Sequence, residues 1–146
     1  MMQMHHDSLS GCACTLLRKA ARAVGHVYDE ALAAHDMTTA QFAILRTIAR
    51  SEPLPLSRLA ERLVLDRTSL YRALAPLEVK GWVAIAKGQG KTKLATLTSE
   101  GRTAMHAAEA DWEAVQTRIT GAMGDDEWVA LQGALKAITG LAQGVH

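Results

Sequence analysis

Apolar residues recur at helical spacing along most of this chain, and the places where that period breaks are the most informative. Leu16, Leu17, Ala20, Ala21, Val24, Val27, Ala31 and Leu32 follow one face of a helix expected from about Cys12 to Ala34. A second helix opens at Thr38. There Thr38 and Gln41 have capping-box spacing, and Met37 is placed to staple onto Phe42 across the cap. It continues through Ile44, Leu45 and Ile48 and ends before Pro53. Pro53 and Pro55 then introduce a short helix carrying Leu56, Leu59, Ala60 and Leu63. Asp66 is the expected N-cap of the next helix, because its carboxylate can accept from the free amides of the first turn. In that helix Leu70, Leu74 and Leu77 face the core, and Arg67, Thr68, Ser69, Tyr71 and Arg72 are left on the exposed side. Pro76 predicts a kink in its second half.

The period changes after Gly81. Trp82 to Ile85 reads as a strand and Leu94 to Leu97 as its return, with Gly88 and Gly90 turning a basic tip from Lys87 to Lys93. Thr98 then caps a long helix in which Met105, Ala108, Trp112, Val115 and Ile119 are spaced three and four apart. The acidic run Asp125-Asp126-Glu127 opens a last helix with the same spacing at Trp128, Leu131, Leu135, Ile138 and Ala142. Short helix, turn, helix and hairpin is the order of a winged helix-turn-helix. The fold class expected is mainly α with a small β-wing, a DNA-binding lobe from residues 37–98 and helical segments 12–36 and 99–143 on either side. Two C-terminal seams and an apolar first helix exceed what one small core requires, which predicts a homodimer. A dimer would set two recognition helices about 34 Å apart, the spacing of successive major grooves on palindromic double-stranded DNA.

Composition narrows the picture further. A chain of 146 residues is one domain of common size, and few aromatics beside abundant Ala and Leu favour helices. Net charge is only +1, but its distribution is uneven. Residues 58–93 hold eight basic groups (Arg58, Arg62, Arg67, Arg72, Lys80, Lys87, Lys91 and Lys93) against the acidic Glu61, Asp66 and Glu78, a local +5. The remainder is −4, so a phosphate-facing surface sits on an otherwise acidic body. Arg67, Thr68, Ser69 and Arg72 near a helix start are side chains suited to base edges in a major groove.

Several classes are disfavoured. No run approaches the ~20 apolar residues of a membrane span. The opening MMQMHHDSLSGC lacks the apolar core of a signal peptide and reads as a frayed tail, so a cytoplasmic location is expected. Two cysteines do not make a disulfide framework. A metal site is not expected, since His5, His6, Cys12 and Cys14 would bind one only adventitiously. No cofactor signature is present: the chain has no P-loop, no dinucleotide glycine motif, no HExxH and no nucleophile elbow. The rivals to a DNA-binding regulator are a winged-helix protein-interaction module and a thiol peroxidase working through Cys14.

Over about residues 12–143 the chain resembles the MarR family of bacterial transcriptional regulators. The most specific stretches are LDRTSLYRALAPLEVKGWV (Leu65–Val83) and LATLTSEGR (Leu94–Arg102), with MTTAQFAILRTIAR (Met37–Arg50) matching the family's second helix. The resemblance implies a winged-helix homodimer that represses nearby genes until a small molecule or an oxidant releases it. Carried over by position, Arg67, Thr68, Ser69 and Arg72 contact bases, and Tyr71 adds a phosphate or base contact. The family's wing has an Asp and, two positions later, an Arg that enters the minor groove; here those positions are Gln89 and Lys91. Lysine lacks arginine's planar fork, so Lys87, Lys91 and Lys93 are expected to act as point charges on DNA.

The first helix is similar to that of the OhrR branch, the organic-hydroperoxide sensors. That similarity implies a reactive thiol at Cys14 and a hydrogen-bonding tyrosine, Tyr28, contributed by the partner subunit. A second tyrosine of that branch is replaced by Arg18, one helical turn from Cys14, where a cation favours thiolate chemistry. Cys12 and Cys14, two residues apart, are expected on different sides of the helix. Other members respond to aromatic acids bound between the lobes, and His26, His35, Trp112 and Arg18 are the candidates to line such a cleft. The effector implied is thus a small aromatic compound or a hydroperoxide.

Overall fold

The computed structural model describes residues 11–144. Its elements in chain order are α1 (Ala13–Leu32), a 3-10 turn (Ala33–His35), α2 (Thr39–Ser51), β1 (Leu54–Pro55), α3 (Leu56–Leu63) and α4 (Arg67–Val79). The hairpin β2 (Val83–Lys87) and β3 (Lys93–Leu97) follows, then α5 (Ser99–Met123) and α6 (Asp125–Gln143). This is a mainly helical winged helix-turn-helix with a small antiparallel sheet in the order β1-β3-β2.

The helix starts follow their capping chemistry. Thr38 and Gln41 form a full capping box at α2. Asp66 accepts from the Ser69 amide at 2.7 Å, and Thr98 accepts from the Gly101 amide at 2.9 Å. Met37 and Phe42 are both buried, as the staple spacing predicts. One core holds α2, α3, α4, the sheet and the first half of α5. Leu45, Ile48, Leu59, Leu74, Leu77 and Ala95 are fully buried in it. Leu32 is the one buried residue of α1.

Four details differ from the sequence expectations. First, α1 stops at Leu32, and the chain turns through the 3-10 segment into Asp36, which takes a left-handed conformation (φ 54°). Second, the sheet has a third strand. Leu54 pairs with Ala95 and Pro55 with Leu94, an edge position where a proline's missing N–H costs no ladder bond. Third, α4 runs unbroken through Pro76 to Val79, because Pro76 lies exposed in the last turn and only the Arg72 carbonyl loses its helical donor. Fourth, the strands are offset from their expected limits. Trp82 precedes β2, and Lys87 pairs directly with Lys93 at the strand ends, which leaves Gly88 to Thr92 as the tip. The Gly88 amide donates to the Thr92 carbonyl at 2.8 Å across that tip, and Gly90 supplies the positive φ of 63°.

The outer helices are a contrast. No residue of α6 is buried, and Leu131 and Leu135 are each 37% exposed. On α1, Leu16, Leu17 and Val24 are exposed as well. The expected seams therefore exist, but within this chain they have little to pack against. No helix among the described residues is long and apolar enough to cross a membrane.

Candidate nucleic-acid interface

The turn between α3 and α4 is built by Val64, which closes α3 in a left-handed conformation (φ 55°) with its amide bonded back to Ala60 and Glu61. A β-branched residue is uncommon there. Leu65 donates to the Ala60 carbonyl at 2.9 Å, and Asp66 then starts α4. The Ser69 amide, then the Ser69 side chain, hold the Asp66 carboxyl below the usual carboxylate range, with Arg72 adding to the effect. This cap fixes the direction in which the first turn of α4 projects.

Arg67, Thr68 and Arg72 are exposed along that helix, whereas Ser69 is half-buried beside its cap. Tyr71 was expected on the exposed face; its ring is instead half-buried and packs against the core. The Arg67 guanidinium lies 5.9 Å from the centre of that ring and the Lys93 ammonium 5.5 Å from it. A cleft of about 410 Å³ opens between α3, α4 and the wing, and Ser57, Arg67, Tyr71, Lys91, Thr92 and Lys93 line it. Ser57 and Thr92 did not stand out in the sequence, because a lone hydroxyl on a short helix or a turn has no spacing signal. Thr68, Arg72 and Lys87 lie outside the cleft.

Two lysine or arginine side chains are ion-paired among the described residues, and neither belongs to this face. Lys80 bonds to the Asp36 carbonyl and lies 3.4 Å from its carboxylate, and Arg102 is paired with Glu52. Arg67, Arg72, Lys87, Lys91 and Lys93 have no acidic partner within ion-pair distance among the described residues. Their charge is left for something outside the chain.

The α1 residues present a second geometry. Cys14 is exposed, and with Leu17 and Arg18 it lines an open apolar groove completed by Val64 and, on α6, Ile138 and Ala142. Tyr28 stands about 21 Å further along the same helix by its rise per residue, so the two cannot meet within one chain. The Tyr28 hydroxyl donates to the Gln116 side chain, and burial pushes its pKa up. Cys12 stands just outside the helix that carries Cys14. It is the N-cap residue, in extended conformation and without a standard capping bond, yet the Thr15 side chain and amide hold its thiol below the ordinary value. The spacing of Cys12 and Thr15, that of an N-cap and its N3 residue, was the signal for this.

The aromatic-ligand cleft expected between the lobes is not assembled from its candidates. His26 pairs with Glu30 at 3.1 Å on the surface, and His35 donates to Asp111 at 2.6 Å. Trp112 is stacked with Phe42 and covered by Arg46 at 4.3 Å, and Arg18 lies on the α1 groove. The two histidines and Trp112 each have a separate partner, and Arg18 lies apart from them on the groove. His5 and His6 lie outside the described residues.

The sequence model of the MarR family matches residues 37–85, which run from the start of α2 into β2. The fold extends that likeness to almost the whole chain. The transcriptional regulator MosR of M. tuberculosis, in a crystal structure with DNA, superposes with a TM-score of 0.86 at 33% identity, over 93% of this chain and 99% of that one. This chain belongs to the MarR family. A mutant of the E. coli MarR protein, complexed with operator DNA, superposes with a TM-score of 0.77 at 25% identity, over 85% of this chain and 91% of that one. An uncharacterized HTH-type transcriptional regulator of Bacillus cereus is 36% identical over 80 residues, 55% of this chain and 54% of that relative, so the match takes in about half its length. In this chain the wing tip carries Gln89 and Lys91, and Arg18 stands one helical turn from Cys14. The first leaves the wing with ammonium groups alone, and the second places a guanidinium on the groove that holds the thiol.

Proposed function

We propose that the protein is a homodimeric, sequence-specific regulator of transcription, and not an enzyme, that binds palindromic double-stranded DNA. The observation that carries this reading is the cluster of cations, Arg67, Lys91 and Lys93, that lines one cleft between the start of α4 and the wing with no carboxylate in its lining. In this reading Arg67, Thr68, Ser69 and Arg72 meet base edges in the major groove, and Lys87, Lys91 and Lys93 meet phosphates. The exposed apolar seams of α1 and α6 are the surface a second copy covers, making residues 12–36 and 99–143 the dimerisation segments and 37–98 the DNA-binding lobe. Release comes from a small effector or from oxidation of Cys14, whose exposure and position beside Arg18 suit a thiol that reacts with a hydroperoxide. In the dimer, Tyr28 of the other subunit would then be the group available to that thiol.

The test is fluorescence anisotropy of the reduced protein on its own upstream intergenic DNA across a salt series, repeated after one equivalent of an organic hydroperoxide. A steep loss of affinity with salt is expected. Oxidant should abolish binding in the wild type and leave Cys14→Ser bound. Binding that ignores salt would point to a protein partner. Salt-sensitive binding that ignores oxidant would remove the thiol and leave a non-oxidising ligand as the effector. Intact mass and non-reducing electrophoresis of the oxidised protein separate a sulfenic acid, a link between subunits and a bond between Cys12 and Cys14.

A further inference from the structure

We propose that Tyr71 is a positioning residue: the face of its ring holds Lys93 of the wing beside Arg67 of the recognition helix, so that both cations meet DNA as one rigid surface. The inference rests on the DNA-binding reading and assigns Tyr71 a role other than a direct DNA contact.

Three observations support it. Arg67 and Tyr71 are one helical turn apart on α4 and share a face. The Arg67 guanidinium and the Lys93 ammonium both lie within 6 Å of the same ring centre, at 5.9 and 5.5 Å. That ring is anchored, since it packs half-buried against the core while both cations are exposed.

Two like charges on one cleft repel each other, and the negative face of an aromatic ring is the uncharged group that offsets this without neutralising either. A carboxylate in the same place would hold the two cations equally well but would remove charge that phosphates need. Lys93 is also the first paired residue of β3, opposite Lys87, so fixing it fixes the base of the wing from which the Gly88–Thr92 tip projects. With no planar fork at Lys91 to lock the tip into a groove, the wing's order must come from its base.

The hydroxyl and the ring can be separated by substitution. A direct phosphate contact uses the hydroxyl; the positioning role uses the ring. Salt-dependent anisotropy on operator DNA would compare Tyr71→Phe, Tyr71→Leu and Tyr71→Leu combined with Lys93→Ala. Tyr71→Phe should bind as the wild type does. Tyr71→Leu, which keeps apolar bulk, should lose roughly tenfold in affinity, the scale of a cation–π contact. Its salt slope should be shallower by about one phosphate, a change that a lower active fraction alone does not produce. Lys93→Ala should then add little in the Tyr71→Leu background.

An independent readout needs no DNA and no risky variant. In the free protein the Lys93 side-chain methylene protons should be shifted upfield by the ring, in the wild type and in Tyr71→Phe alike. Ordinary lysine shifts there would overturn the proposal even if Tyr71→Leu failed to fold. So would a Tyr71→Phe protein as weak as Tyr71→Leu, an unchanged salt slope in Tyr71→Leu, or fully additive losses. A wild type that binds no DNA while Lys93 is ring-shifted would locate the failure in the DNA-binding reading instead.

Discussion

Gly101 stands directly against the backbone carbonyl of Trp82: a Cβ on Gly101 would lie 2.0 Å from that oxygen. The same carbonyl accepts from the Thr98 amide at 3.0 Å, and Thr98 in turn caps α5 through the Gly101 amide. This close approach lets α5 start immediately after β3 and joins the wing to the long helix. Because the obstacle is backbone on both sides, no rotamer change relieves it. Gly101→Ala is expected to destabilise the protein by ~1–3 kcal/mol, the usual range for overpacking. Urea unfolding checks this, and an unchanged midpoint at unchanged slope would show that the junction yields.

Arg72 and Lys91 are expected to fail differently. Arg72 projects from the recognition helix, so Arg72→Ala should weaken operator binding by ~1–3 kcal/mol and relax base preference at one position. Lys91 lies in the wing tip and offers a point charge. Lys91→Ala should weaken all sequences about equally and reduce the salt slope by about one. Competition binding against a panel of single-base operator variants at several salt concentrations decides both cases. A changed base preference for the lysine variant with an unchanged slope would reverse the assignment.

Asp66 gives the start of α4 a pH dependence. Its carboxyl is held below its ordinary value of 3.8 in the folded protein, first by the Ser69 amide. A group with a depressed folded-state value contributes stability at pH above the unfolded value, and that contribution disappears as pH falls through the folded value. The cap should therefore be at full strength near neutrality and weaken only in acid below about 3.8. Hydrogen exchange at the Ser69 amide is the local measure, corrected for intrinsic rates. Protection should drop in acid for the wild type, be lost at all pH values in Asp66→Ala, and lose its pH dependence in Asp66→Asn, which still caps. A pH-independent protection factor in the wild type would count against this account.

The seams of α1 and α6 are expected to answer to charge. Leu135→Glu and Leu16→Glu each place a carboxylate on an apolar face that this chain leaves open. Sedimentation velocity should show wild-type dimers and a shift to monomers in both variants, with unchanged helicity by circular dichroism. Operator affinity should fall with the loss of dimer, because each monomer reaches a single half-site. Dimers that persist in both variants would place the interface elsewhere.

The wing cations and the helix caps were legible in the sequence because their chemistry is local. A capping box at Thr38 and Gln41, an acceptor at Asp66 and a hydroxyl at Thr98 each act within one turn, so spacing alone located three helix starts. Apolar periodicity likewise gave the core positions Leu70, Leu74 and Leu77 and the unburied seam of α6. What tertiary structure decided involved partners distant in the chain. The third strand exists because Leu54 finds Ala95, and a two-residue strand has no period to read. Tyr71 sits at a position that periodicity left exposed, yet β3 brings Lys93 against its ring, and no spacing rule couples residues across a hairpin. The candidate ligand residues His26, His35, Trp112 and Arg18 were grouped by type and proved to lie apart, the first three with separate partners and Arg18 on the α1 groove, since side-chain type does not fix direction. Sequence determined which elements form and where they begin; packing between elements decided which side chains meet.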